Sequence, residues 1–438
     1  MGLDVPIETK LHAPDVRAEW VERPGLAGYL ANAAARLVLV GAPAGFGKTT
    51  LVAQWRVSAH EDRPFAWVSL DRADDDPSRL WWYAVGALQR ACPEFNGEGI
   101  LRELRVQSPD ITGTVLPLLA NELDALPAPV VLVLDDYHVI KERSCHDQVA
   151  FLLAHLPPSA QIVLVTRVDP PLPLARMRAS GEMVEIRARE LRFGLDETAA
   201  LVRSVSGVRL TDADLADLAE RTEGWPAGTY LAALSLRGHP SPHEFVRAFT
   251  GDNRFIVDFL ADEVLSRQPG DVQQFLLQTS ILSRFCAPLC DAITGSANAV
   301  EIIDILEREN LFLVPLDDNR QWYRYHHLFA QLLRSQLALG EPGAVRILHK
   351  RASTWHQLSG STEEAISHAL AADDIAVAVD LITRNWLAYV SVGRAATVRG
   401  WMRVLGDDQI AVNPTAATAR PGRRRSPATG KRCAGGSR

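Results

Sequence analysis

Five short apolar runs punctuate the first half of the chain: Leu37-Val38-Leu39-Val40, Phe65-Ala66-Trp67-Val68-Ser69-Leu70, Val130-Val131-Leu132-Val133-Leu134, Ile162-Val163-Leu164-Val165 and Met183-Val184-Glu185-Ile186. Continuous runs of this length, bounded by polar or small residues, predict strands buried on both faces, as in a parallel sheet. Between them the apolar spacing is helical, from Gly25 to Arg36, at Leu51, Val52 and Trp55, and at Leu80, Trp81, Tyr83, Ala84 and Leu88. Strands alternating with helices through about residue 190 predict an α/β fold with a doubly wound parallel sheet.

From Asp196 onward the periodicity is helical. Leu215, Leu218 and Ala219 form one stripe, Gly224-Trp225-Pro226 reads as a helix stop and restart, and Leu231, Ala232 and Leu234 resume the pattern. Two helices are expected between Val257 and Gln278. A hairpin follows, with Leu311 to Leu316 and Gln321 to Tyr325 joined by Asp317-Asp318-Asn319-Arg320. Helices around a two-stranded wing predict a winged-helix module. Its candidate DNA-reading helix, Ala299 to Glu309, carries four acids and one arginine, which suits packing better than DNA. The helical pairs Ala344 to Leu358 and Thr362 to Ala372 suggest the start of a helical-repeat, TPR-like region. These breaks give five expected segments: 1–195 nucleotide-binding, 196–255 helical, 256–343 winged-helix-like, 344–412 helical repeat, and 413–438 a disordered basic tail.

Charge sharpens the last boundary. The net charge is −7, yet residues 414–438 hold seven Lys/Arg and no acid, leaving 39 basic and 53 acidic side chains before them. An acidic body offers no broad footprint for nucleic acid. No run reaches the ~18 apolar residues of a membrane span, and Met1 to Lys10 lacks an apolar signal core, so a cytoplasmic protein with no membrane partner is expected. Cys92, Cys145, Cys286, Cys290 and Cys433 are scattered without a matching second pair and read as free thiols.

The candidate chemistry centres on the first run. Ala42-Pro43-Ala44-Gly45-Phe46-Gly47-Lys48-Thr49-Thr50 follows a buried strand and opens a helix, the order a phosphate-binding loop requires. Loop amides and the helix N-terminus face the phosphates, Lys48 reaches the β/γ oxygens, and the Thr49 hydroxyl binds Mg2+. Strict spacing asks for glycine at position 42; Ala42 is small enough to be a tolerated variant. The third run ends in Asp135-Asp136, as expected of a central strand beside that loop. Asp135 is the candidate Mg2+ carboxylate and Asp136 the candidate for orienting or deprotonating water. Thr166 or Arg167, ending the fourth run at the same sheet edge, is the candidate γ-phosphate sensor. His138 suits a turn or packing role as well as a catalytic one, and Arg23 suits either a base contact or an exposed surface position.

Taken with Glu223-Gly224-Trp225-Pro226-Ala227-Gly228 and Tyr325-His326-His327-Leu328-Phe329, these motifs resemble those of the MalT-like, LuxR-family large ATP-binding transcriptional regulators. Those proteins are signal-transduction ATPases with numerous domains, and the resemblance runs from about residue 10 to 410. It implies an ATP/ADP switch with slow hydrolysis. ADP holds the domains closed; ATP with a small-molecule or protein inducer opens them for self-oligomerisation. It also implies that Pro226 packs on the adenine, that His326 touches the ADP β-phosphate, and that Arg167 senses the nucleotide. Family members continue into a long repeat sensor and a helix-turn-helix, so this chain is expected to lack specific DNA binding. A P-loop phosphotransferase or kinase and a non-hydrolysing, ADP-holding scaffold are the alternatives.

Overall fold

The computed structural model describes residues 6–17, 19–391 and 394–412. The expected basic tail lies outside them. Among the described residues two compact units emerge: those up to 269 with 301–314 and 325–332, and 270–300 with 315–324 and the described residues from 333 to 412.

The first unit is built on a five-stranded, all-parallel sheet: β1 (Leu37–Gly41), β2 (Phe65–Ser69), β3 (Val130–Asp135), β4 (Ala160–Thr166) and β5 (Met183–Arg187). The spatial order is β2-β3-β4-β1-β5. Every residue of β1, β3 and β4 is buried, which is why those segments read as unbroken apolar runs. The Asp135 strand is expected beside the phosphate loop, and Asp135 at its end does accept from Thr49 Oγ1 at 3.0 Å, although β4 intervenes between β3 and β1 in the sheet. Neighbour order depends on crossover paths that apolar runs do not encode. The parallel register still lines up the carboxyl ends: Gly41 pairs with Thr166 and with Arg187, and Ser69 with Asp135.

Helices cover the sheet. Helix α1 (Pro24–Ala31) is shorter than the expected Gly25–Arg36 pattern, and α2 (Lys48–Arg56) starts on the loop lysine. The long β2–β3 connection includes α3 (Pro77–Ala91), which Asp76 caps by accepting from Arg79 N at 2.9 Å. The connection also includes Glu98–Leu104 and Leu116–Asp124, which the periodicity did not mark. Trp81, Tyr83 and Leu88 of α3 join Leu37, Leu39 and Leu134 in one core.

Beyond β5 this unit continues through α4 (Leu195–Ser206), α5 (Asp212–Thr222) and α6 (Pro226–Leu236). Pro226 at the first turn of α6 and left-handed Glu223 (φ 50°) after α5 make the expected stop and restart. Helix α7 (Ala299–Arg308) precedes a two-stranded ribbon of β6 (Leu313–Pro315) and β7 (Tyr323–Tyr325), and α8 (His327–Gly340) follows it. In the second unit, Asp317 closes the ribbon turn by accepting from the backbone of Gln321 and Trp322. There α9 (Pro342–Leu358) packs on α10 (Thr362–Ala371), followed by Ile375–Ser391.

Candidate functional site

The loop after β1 turns through two left-handed glycines, Gly45 and Gly47, both at φ 75°. Ala42, where strict spacing asks for glycine, is fully buried, with its amide donating to Thr166 O at 3.3 Å. The left-handed turns fall three and five residues further on, so alanine fits position 42. Lys48 follows at the start of α2. It is buried, with Nζ donating to Ala42 O at 2.8 Å and Pro43 O at 2.9 Å. Burial first, then the Arg167 charge, lowers its pKa to about 8. A polyphosphate in reach of Nζ would oppose both effects.

Asp135 ends β3 at 4% exposure and accepts from Thr49 Oγ1 at 3.0 Å and from Asp136 N at 2.9 Å. Burial, then the neighbouring Asp136 charge, raises its pKa to about 7. Asp136 is left-handed at φ 57°, a conformation uncommon outside glycine, which places successive carboxylates at the strand end. A hydroxyl in contact with a buried, poorly compensated carboxylate is an oxygen donor set suited to a hard dication. Among the described residues no three His, Cys, Asp or Glu side chains are placed to hold a metal ion. Mg2+ needs no such cage where substrate phosphate and water complete its octahedron.

A cavity of about 440 Å3 opens over this loop, and Arg23, Lys48, Thr49, Asp136, Arg167 and Pro226 all line it. Thr166 does not, since its hydroxyl turns back to Val168 O at 2.6 Å. Arg167 reaches Glu263 Oε2 at 3.2 Å through Nη2. Arg23 sits at the cavity wall with its guanidinium engaged: Nε donates to Glu197 at 2.8 Å, and the Nη groups donate to Leu191 O and Arg192 O at 2.8 and 3.0 Å. His138 lines neighbouring cavities and stays neutral, its pKa lowered to about 3 by burial and then by Arg167 and Lys48.

The residues predicted near nucleotide do not all converge. His326 is buried at 3% exposure and lies outside the cavity wall; its Nε2 donates to Thr222 O at 3.0 Å and its Nδ1 has no hydrogen-bond partner. Its pKa falls to about 4, chiefly from burial. Between His326 and the loop stands Trp225. The indole, fully buried, packs against His326, Phe312 and Phe259 with ring centroids 6.0, 5.2 and 5.5 Å away. It also donates from Nε1 to Ala44 O at 3.1 Å, while Ala227 N donates to Gly45 O at 3.0 Å. From the sequence Gly224-Trp225-Pro226 reads as a turn, and the one local signal of this contact is a bulky aromatic ahead of the helix-opening proline. Tyr230, one turn beyond Pro226, also lines the cavity and is 43% exposed.

Comparison with known proteins places this geometry. Residues 261–345 match the MalT winged helix domain. Over 420 residues the chain is 32% identical to the HTH-type transcriptional regulator MalT of Serratia proteamaculans, covering 94% of this chain and 45% of that protein. It is 33% identical over 371 residues to the MalT of Yersinia enterocolitica, covering 83% of this chain and 40% of that protein. It is also 35% identical over 353 residues to the serine/threonine-protein kinase PknK of Mycobacterium tuberculosis, covering 80% of this chain and 32% of that protein. The chain thus spans less than half the length of each of these relatives. Among solved structures, a Walker-type ATPase of Pyrococcus abyssi superposes with a TM-score of 0.53 at 14% identity, covering 73% of this chain and 98% of that one. No helix among the described residues is long and apolar enough to cross a membrane. The chain is MalT-like: a doubly wound P-loop ATPase fold followed by helices and a MalT winged-helix domain.

Proposed function

We propose that this chain is the nucleotide-operated part of a regulatory switch that binds ADP and Mg-ATP and hydrolyses ATP slowly. One observation carries the reading: Asp135, 86 residues beyond Thr49 in sequence, meets the Lys48-Thr49 pair beside a cavity whose wall includes Pro226 and Arg167. In this proposal Ala42 to Thr50 wraps the phosphates, and Lys48 exchanges its two carbonyl partners for phosphate oxygens. Thr49 and Asp135 hold Mg2+, which supplies charge neutralisation at the phosphates when bound. Asp136 orients the attacking water, and Arg167 senses the terminal phosphate once released from Glu263. Pro226 packs on the adenine, with Arg23 at the wall nearby. His326, one ring behind Trp225, responds to the loop through that indole and meets phosphate only where Trp225 moves aside. The nucleotide domain is proposed as 1–195, followed by helical 196–255, winged-helix 256–343 and repeat 344–412 segments.

Nucleotide-controlled self-assembly and an inducer, small molecule or protein, complete the proposed switch. The relatives named as transcriptional regulators support this reading. The relative named as a kinase supports a second one, a phosphotransferase with a separate acceptor.

The test is the nucleotide content of the purified chain together with its mass in solution, with ADP and then with Mg-ATP. Retained ADP on a monomer and ATP-driven assembly are expected. Failure to bind either nucleotide overturns the proposal, and rapid turnover stimulated by a small acceptor favours the phosphotransferase.

A further inference from the structure

Away from the nucleotide cavity, three histidines meet in the second unit. His349 and His356 are seven residues apart on α9, so they share one helix face, and His368 lies on the packed helix α10. The Nδ1 atoms of His349 and His368 are 2.8 Å apart. One ring must donate and the other accept, so the bond exists only while at least one is neutral. His356 stacks on His368 with centroids 5.5 Å apart and planes 8° from parallel. It is 3% exposed, and its Nδ1 is buried without a hydrogen-bond partner.

The charges facing this cluster come from four elements. Glu364 lies on α10 itself. Arg284, from the loop before Ala287–Thr294, reaches Glu364 at 2.6 Å. Arg334, on the part of α8 in this unit, donates to Ser280 O at 2.7 Å. The Lys350–Asp374 pair, from α9 to the end of the α10 turn, stands beyond at 3.1 Å. Arg334 disfavours a charge on His349 and Arg284 one on His356, while Glu364 favours it on His356 and His368. Burial is the largest effect on all three rings, and each is held below the ordinary imidazole range. Among the described residues no three His, Cys, Asp or Glu side chains here are placed to hold a metal ion.

We propose that His349, His356 and His368 form an acid-sensitive joint, in which proton uptake breaks the imidazole pair and loosens α9 from α10. A first proton places charge among buried rings beside two arginines. A second gives both facing nitrogens a hydrogen and leaves no acceptor between them. The sign follows from linkage. His368 falls from 6.5 to about 4 in the folded chain, so the opened state takes up protons first. Stability present above pH 6.5 is therefore lost as pH falls toward 4. From His368 alone the opening equilibrium shifts about tenfold between pH 7.5 and pH 5.5.

The experiment is hydrogen exchange on the intact chain at both pH values, corrected for the intrinsic exchange rate. Opening of α9–α10 peptides is expected to rise about tenfold more than that of peptides from the parallel sheet, and His368→Gln is expected to flatten the difference. No excess rise, or the same rise in a folded His368→Gln chain, overturns the proposal. If that variant does not fold, NMR titration of the wild-type imidazoles decides: a His368 midpoint near 4 supports the joint, and one near 6.5 overturns it.

Discussion

The indole N–H of Trp225 donates to the backbone carbonyl of Ala44 across 3.1 Å, joining the phosphate loop to the turn that opens α6. Because the same indole packs on Phe312 and His326, the loop is anchored to groups from three separate stretches of chain. A loop held this way shares its conformational preference with everything Trp225 touches, which is the coupling a ligand-biased equilibrium needs.

Trp225→Phe keeps most of the ring packing and removes the donor. The Ala44 carbonyl, in a residue 7% exposed, is then left unpaired at a cost of about 1–3 kcal/mol. A lower melting temperature and a smaller ADP-induced rise in it are expected by scanning calorimetry. An ADP-induced rise equal to wild type would mean that Trp225 does not couple to the loop.

Gly45→Ala is expected to be more damaging than its size suggests. An added Cβ would come within 2.5 Å of Ala227 Cβ and 2.9 Å of Trp225 Nε1, on a backbone already at φ 75°. The loop would have to leave α6, so both thermal stability and ADP affinity should fall. Isothermal titration with ADP measures the second, and unchanged affinity counts against the close approach.

The Asp135 carboxyl predicts a pH dependence of the Mg2+-free, nucleotide-free chain. Its pKa is raised from 3.8 to about 7, so on raising the pH the unfolded chain releases this proton first. Asp135 therefore removes stability as pH climbs from its unfolded value to its folded one, roughly 2–3 kcal/mol between pH 5 and pH 8. Urea denaturation should show that decline, and Asp135→Asn should abolish its Asp135 share and be the more stable protein at pH 8. A wild-type minus Asp135→Asn difference that does not change with pH would be the contrary result.

Lys48 and Asp135 should separate binding from chemistry. Lys48→Ala is expected to abolish nucleotide binding. Asp135→Ala is expected to retain it while losing Mg2+-dependent hydrolysis, followed by phosphate release. Normal turnover in either variant removes that residue from its proposed role.

Arg167 and Glu263 meet at 3.2 Å with side chains 24% and 34% exposed, so the pair is worth at most about 1 kcal/mol. That is small enough for a ligand to break. Glu263→Gln should leave the fold intact and raise the single-turnover hydrolysis rate several-fold by freeing Arg167. An unchanged rate would mean that Glu263 does not restrain the arginine.

The parts of this site legible in the sequence are contiguous ones. Leu37 to Thr50 carries strand, loop and helix start in a single stretch, and each residue type there answers a local requirement: apolar for burial, glycine for left-handed turns, Lys48 and Thr49 at the helix opening. Val130 to Asp136 was legible for the same reason, since an apolar run ending in carboxylates needs no partner to be seen. Arg23 was ambiguous because its identity says nothing about Glu197, 174 residues away, which accepts from its Nε. His326 was expected at phosphate through resemblance, yet it lies behind Trp225, where aromatic packing and a bond to Thr222 O hold it.

By itself, then, the order of residues determined the alternation of buried strands and helices, the phosphate loop and the carboxylates at a strand end, because burial, backbone conformation and local chemistry act over a few neighbouring positions. Tertiary structure alone decided that β4 stands between β3 and β1, that Glu263 occupies Arg167, and that Trp225 anchors Ala44. Those outcomes depend on which surfaces meet after the chain has crossed over the sheet. A pairing between positions 44 and 225 leaves no periodic or local trace in the residues that make it.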